Sequence, residues 1–165
     1  MNMYGSNAHK RAGIKQQPFI AHKIRKLFES QGYVVNVRPA TRFQDMKEKY
    51  DYEVFFNKPL KTKTGETYDS IKIDVKWAKS FTLYDNNGEN TLKNSKSMFI
   101  VFNHPDNPAE LMFINTERFR ECLNINNPTL RMSEEAGNKS QYFFVEQYIR
   151  ENREFLGNYI KRYTV

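Results

Sequence analysis

Apolar and polar positions along the chain recur with two different periods, and the change of period marks the elements. Ile20, Ile24, Leu27 and Phe28 fall at helical spacing, with His22, Lys23, Arg25, Lys26 and Glu29 mostly between them. Pro18 suits a first helical turn and Gly32 a stop, so the pattern predicts a helix over 18–31. Residues 1–17 mix Asn, Ser, Gly, His and Lys without periodicity and read as a flexible basic N-terminal arm, leaving 18–165 as a single domain. The β-branched run Tyr33 to Arg38 reads as a strand ended by Pro39, and the polar stretch Thr41 to Lys49 as a short helix or loop. Tyr50 to Phe56 is a second strand, and Ser70 to Ala78, with strict alternation, the clearest one. Shorter strands are expected at Ser80 to Tyr84, Met98 to Phe102 and Leu111 to Asn115, then a helix capped by Asn115 or Thr116 and running to about Leu123. Phe144, Val145, Tyr148, Ile149, Phe155, Leu156, Tyr159 and Ile160 predict a C-terminal helical segment over 140–163, single or broken near Gly157. Helix, strands, then helices is the order of an α+β (α/β) fold, a central mixed β-sheet flanked by helices.

Composition supports a packed domain. The chain has 165 residues, 39% hydrophobic, with ten Tyr and thirteen Phe, enough to build one core and too apolar for wholesale disorder. No apolar run reaches the roughly 18 residues that cross a bilayer, and the polar stretch Met1 to Lys15 lacks the apolar core of a signal peptide. A lone cysteine, Cys122, excludes an intramolecular disulfide framework and a Cys-rich zinc site, and a cytoplasmic location is expected. Twenty-six Lys+Arg against nineteen Asp+Glu give a net charge of +7. That excess favours a polyanionic partner, nucleic acid above all, over a merely solvated basic surface. Lys58, Lys61, Lys63, Lys93 and Lys96 are candidate phosphate contacts on two loop-rich stretches. No nucleophile elbow, phosphate-cradling Gly loop or dinucleotide fingerprint is present.

The chemistry concentrates on the strand Ser70 to Ala78. Ile71, Ile73, Val75 and Trp77 share one face, and Lys72, Asp74, Lys76 and Ala78 the other. In the strand before it, Asp51, Glu53 and Phe55 share a face. With Thr64-Gly65 as a two-residue turn, Lys63 pairs with Glu66, Glu53 lies opposite Lys76, and Phe55 lies opposite Asp74. Both polar sets then meet on one sheet face, and a slip of one residue would separate them. Clustered carboxylates hold a hard cation such as Mg²⁺ through oxygen, and the Val75 backbone carbonyl can complete the set. Mg²⁺ stabilises charge on a phosphate, and a lysine beside it orients or activates an attacking water. This is an arrangement for cutting phosphodiesters.

A leading helix followed by strands carrying Asp51 and then Asp74-Val75-Lys76 resembles the PD-(D/E)XK nuclease superfamily, which includes restriction endonucleases, Holliday-junction resolvases and repair nucleases. The resemblance spans roughly Pro18 to Phe102. It implies a restriction-endonuclease-like fold and a Mg²⁺-dependent DNA endonuclease, with Mn²⁺ able to replace Mg²⁺. By the same likeness Asp51, Asp74 and the Val75 carbonyl are metal ligands, and Lys76 assists the water. DNA, double-stranded or branched, would be the partner, and a homodimer through the aromatic C-terminal segment would suit cleavage of both strands. Three departures stand out. Tyr50 occupies the position of the motif proline, and the first helix offers Ala21 and His22 where many members carry a glutamate. Lys79 to Ser97 also reads as hairpin or loop where a helix is common.

Plainer readings exist for each residue. Asp74 and Lys76 are otherwise an exposed ion pair, and Asp51 a turn residue at a strand start. Glu53 is a helper carboxylate or a surface partner of Lys76. Lys72 and Lys79 are surface charges or contacts to the scissile phosphate. His22 is a solvated residue or a supporting group on the substrate side of the site, while His104 reads as a turn residue, Trp77 as core and Cys122 as buried and inert. A second Asp-x-Lys, Asp45-Met46-Lys47, lacks apolar alternation and is set aside. A binding module without catalysis, or a protein-interaction adaptor, would use the same fold.

Overall fold

The computed structural model describes residues 6–62 and 65–165, with side chains from Ala12 onward. In chain order it comprises α1 (Ser6–Ser30), β1 (Val35–Pro39), α2 (Arg42–Glu48), β2 (Tyr52–Lys61), β3 (Thr67–Lys76) and β4 (Ser80–Tyr84). There follow β5 (Phe99–Phe102), β6 (Glu110–Asn115), α3 (Thr116–Ile125), β7 (Arg131–Met132), β8 (Gln141–Phe144), α4 (Val145–Glu151), α5 (Arg153–Leu156), a 3₁₀ turn (Gly157–Tyr159) and β9 (Ile160–Thr164). The fold is α+β. A mixed six-stranded sheet runs β1-β2-β3-β5-β6-β9, and a second sheet of three strands runs β4-β8-β7.

Among the described residues, β3 and β5 are the one parallel pair in the large sheet. A parallel pair needs a crossover, and here β4 and the loop after it supply one without a helix, as the polar stretch Lys79 to Ser97 suggests. Two cores form on opposite faces. Ile20, Ile24, Leu27 and Phe28 of α1 bury the face that carries Val54, Ile71, Ile73 and Val75. The other face is apolar over β5, β6 and the start of β9, where Ile100, Phe102, Met112, Ile114 and Ile160 pack with Phe119, Phe143, Tyr148 and Leu156. Over β1–β3 that second face carries Arg38, Glu53, Phe55, Ser70, Lys72, Asp74 and Lys76, none of them buried.

Two expectations need correction. The helix starts at Ser6 rather than Pro18, so positions 6–17 of the expected arm are helical. Ala, Lys, Arg and Gln in this stretch are good helix formers. Of the side chains described there, those of 12–17, none is buried and Ile14 is 66% exposed, so no apolar period announces them. The C-terminal segment over 140–163 is not one helix. It is β8, two short helices, a 3₁₀ turn and β9, which pairs with β6 from Ile114↔Ile160 to Glu110↔Thr164. The two strand pieces carry aromatic and aliphatic residues at spacings that satisfy either period over so few positions. Elsewhere Asn115 caps α3 through Arg118 N–H, and Cys122 is buried. No helix among the described residues is long and apolar enough to cross a membrane.

Candidate active site

The polar half of the sheet is assembled by a β-bulge. Near the hairpin tip β2 and β3 pair as Lys61↔Thr67 and Leu60↔Tyr68, but towards the base as Phe55↔Ser70, Val54↔Ile71, Glu53↔Lys72 and Tyr52↔Ile73. Residues 56–59 therefore face Asp69 alone, three residues in excess. Because side chains alternate, an odd excess exchanges the faces. Carried straight down from the tip, the ladder would set Val54 against Asp74. The bulge instead sets Asp51 across from Asp74, one step past the Tyr52–Ile73 pair, where Asp51 N–H donates to Ile73 C=O at 2.9 Å.

The expected meeting of polar sets thus holds by another register. Glu53 lies opposite Lys72, not Lys76, and accepts from Ser70 Oγ at 2.7 Å. Thr62 N–H donates to Glu66 C=O, so the tip closes on Thr62 and Glu66 rather than on a two-residue turn. Lys63 and Thr64 lie outside the described residues.

At the centre, Asp51 and Asp74 share a hydrogen bond between their carboxyl groups. Burial first, then the hydrogen bond and repulsion from Asp74, push the Asp51 carboxyl up to about 9 from its ordinary 3.8. Val75 N–H donates to Asp51 Oδ2 at 2.8 Å, which fixes the carboxylate and opposes part of that rise. Lys76 Nζ stands 3.2 Å from Asp74 Oδ2 with its side chain 40% exposed, against 18% for Asp74. Asp74 first and then Asp51 hold the Lys76 ammonium above its ordinary range, against a loss of hydration that lowers it. Lys76 is therefore a cation at neutral pH, with one side turned to solvent.

This donor set fits Mg²⁺. Two carboxylates crowded enough to share a proton are relieved by a divalent cation, and Mg²⁺ is commonly held by one or two carboxylates with water and phosphate completing its shell. Ile73 C=O is turned to β2, and by alternation so is Val75 C=O, which lies past the last β2 partner. Among the described residues no group of three His, Cys, Asp or Glu side chains could hold a metal, and the oxygens this part of the sheet offers an ion are those of the aspartate pair and that carbonyl.

The other expected residues are dispersed. Lys72 is tied to Glu48 at 3.0 Å and lies over the Tyr50 ring at 5.1 Å. Lys79, 60% exposed, is 3.9 Å from Asp106. His22 is exposed on α1, which packs on the opposite face of the sheet. Lys58 stands over Tyr33 at the C-terminal end of α1 and Lys61 is exposed near the hairpin tip, both away from the aspartates. Lys93 and Lys96 are exposed on a loop that is fastened to α2, since Lys96 N–H donates to Glu48 C=O at 2.7 Å. Trp77 is half-buried beside α1, with Lys23 Nζ 5.8 Å from its ring.

Sequence reasoning allowed a short helix over Thr41 to Lys49 but gave it no part at the site, and α2 (Arg42–Glu48) borders it. Glu48 bonds Lys72, and Asp45 is near enough for its charge to act on Lys76. The signal present was Thr41 three residues before Gln44: the two form a capping box that starts the helix. Comparison of the chain with protein-family models, with curated proteins and with solved structures returned no match.

Proposed function

We propose that this chain is a Mg²⁺-dependent DNA endonuclease of the PD-(D/E)XK kind. The observation that carries the reading is the aspartate pair, Asp51 against Asp74, with the Lys76 ammonium 3.2 Å from Asp74 on the polar sheet face bordered by α2. Asp51, Asp74 and the Val75 carbonyl would hold Mg²⁺, or Mn²⁺ in its place, and the ion supplies Lewis-acid stabilisation of a phosphate oxygen. Lys76, charged and half open to solvent, donates a hydrogen bond to the attacking water or to the phosphorane oxygens that gain charge. As a cation it is a poor base, so it positions and neutralises rather than removing the proton. Val75 N–H holds the Asp51 carboxylate in place throughout. The net charge of +7 supplies attraction to the phosphate backbone.

The test is cleavage of supercoiled plasmid, linear duplex, single strand and four-way junction with Mg²⁺, Mn²⁺ or EDTA, the unmodified chain beside Asp74→Ala. Metal-dependent cutting that the variant loses is the expected result, and cutting retained in Asp74→Ala would sink the assignment. A second reading, a DNA-binding module without catalysis, draws on the lack of a third acidic ligand among the described residues. DNA binding that survives chelation, with no cutting under either metal, would favour it.

A further inference from the structure

Helix α2 is built firmly and yet buries nothing. Thr41 caps its start, with Gln44 N–H donating to Thr41 Oγ1 at 3.1 Å and Thr41 N–H to Gln44 Oε1 at 2.9 Å. Its end is tied by Glu48 to Lys72 at 3.0 Å, by Lys96 N–H to Glu48 C=O, and by Ser95 Oγ to Lys49 C=O at 3.1 Å. Asp45 and Glu48 lie on the arc turned to the sheet, where they act on Lys76 and Lys72. Around the opposite arc, at about 100° per residue, come Arg42, Met46, Phe43 and Lys47 in that order. Phe43 is 69% and Met46 66% exposed. An apolar pair is thus held out to solvent between two cations, on a helix fixed beside the aspartate pair.

We infer that the outer face of α2 is a stacking platform for unpaired bases of a nucleic-acid strand, with Phe43 beneath a base and Arg42 and Lys47 on the flanking phosphates. This rests on the nuclease reading of the adjacent site. The charge pattern chooses the occupant. A single strand presents flat apolar bases between anionic phosphates, the complement of an aromatic ring between cations. Exposed Lys93 and Lys96 on the tethered loop extend the cationic border, which suits a strand more than an apolar protein surface. Bases inside an intact duplex are already stacked on each other and offer no face to Phe43. The substrate class this selects is DNA with unpaired nucleotides beside the cut: a tail, flap or branch.

The experiment measures binding in EDTA, so no cutting intervenes and its outcome is independent of whether the chain is a nuclease. The probes are a blunt duplex and the same duplex with a single-stranded tail containing 2-aminopurine. Anisotropy gives affinity and 2-aminopurine fluorescence reports stacking. The unmodified chain should prefer the tailed probe and quench it. Phe43→Ala should weaken tailed-probe binding about 10-fold, abolish the quenching and leave blunt-duplex affinity unchanged, while Phe43→Trp restores both. Phe43 is exposed, so thermal melts of both variants should match the parent. Unchanged quenching in Phe43→Ala, an equal loss on both probes, or no binding of either probe by the unmodified chain would overturn the inference. The nuclease reading fails separately, on absent metal-dependent cutting.

Discussion

The amide of Val75 donates to the carboxylate of Asp51 at 2.8 Å, so the residue between Asp74 and Lys76 holds the acid that faces them. One strand thereby supplies a carboxylate, a backbone donor, a backbone carbonyl and an ammonium within three consecutive residues. The alternation of β3 sends Val75's side chain into the α1 core while its neighbours stay at the surface.

That relationship makes the metal-free protein sensitive to pH. Asp51 has a folded value of about 9 against an ordinary 3.8, so between these values the folded chain holds a proton that the unfolded chain has released. Stability therefore falls as pH rises across that window. Asp51→Asn should flatten the dependence and raise the melting temperature at pH 8 in EDTA, as differential scanning fluorimetry across pH would read. A variant that keeps the parent's slope would contradict the assignment of the proton to this pair.

Loading Mg²⁺ must displace that shared proton. Apparent metal affinity should rise with pH towards about 9, with proton release seen by titration calorimetry in buffers of different ionisation heat. Mg²⁺ binding without any proton release would place the ion elsewhere.

Lys76→Met removes the charge while keeping much of the stem. Cleavage should drop by about 100-fold or more, the scale of losing one preorganised charge donor. Duplex affinity in EDTA should stay close to the parent's, since a single phosphate contact is a small part of total binding. Full activity in this variant would remove Lys76 from the mechanism.

Asn103 is a different kind of test, of the scaffold. It is wholly buried, its amide donates to the carbonyls of Pro108 and Glu110, and its Oδ1 accepts from Lys23 Nζ at 2.9 Å. Lys23 Nζ and Pro108 C=O keep each other at 2.8 Å, so Asn103→Leu removes three hydrogen bonds without stranding that pair and should cost about 2 kcal/mol in urea unfolding. A loss below about 0.5 kcal/mol would show that the β5–β6 loop relaxes around the change.

Tyr148 makes a smaller claim. Its hydroxyl donates to Asn126 C=O at 2.7 Å, beside Cys122 Sγ at 3.2 Å, at the C-terminal end of α3. Tyr148→Phe should cost about 1 kcal/mol in the same assay and leave cutting unchanged.

The sheet and the motif strand were legible because β3 alternates over its buried half and because Ile20, Ile24, Leu27 and Phe28 mark one face of a helix. The register was not. It was read from a tip turn, whereas residues 56–59 hold the excess that aligns Asp51 with Asp74, and nothing in Phe-Asn-Lys-Pro states how a ladder resumes. Glu53 was drawn towards Lys76 by that error. The first turns of α1 escaped because the described side chains 12–17 bury nothing and leave no period, and Gln141 to Phe144 and Ile160 to Thr164 escaped because short strands satisfy either one. The value of α2 lay in its cap and in an outward apolar pair, features that hydrophobic periodicity discounts.

The excess in β2 also separates two parts of one hairpin. Below it the pairing is fixed by the buried positions Tyr52, Val54, Ile71 and Ile73, and above it Lys61 and Thr67 stand in water. Lengthening or shortening the tip changes how far the arm extends but leaves the aspartates where the core holds them. The arm is thus a module that evolution or design can exchange, its reach and charge free to vary while the geometry of the aspartate pair is inherited intact.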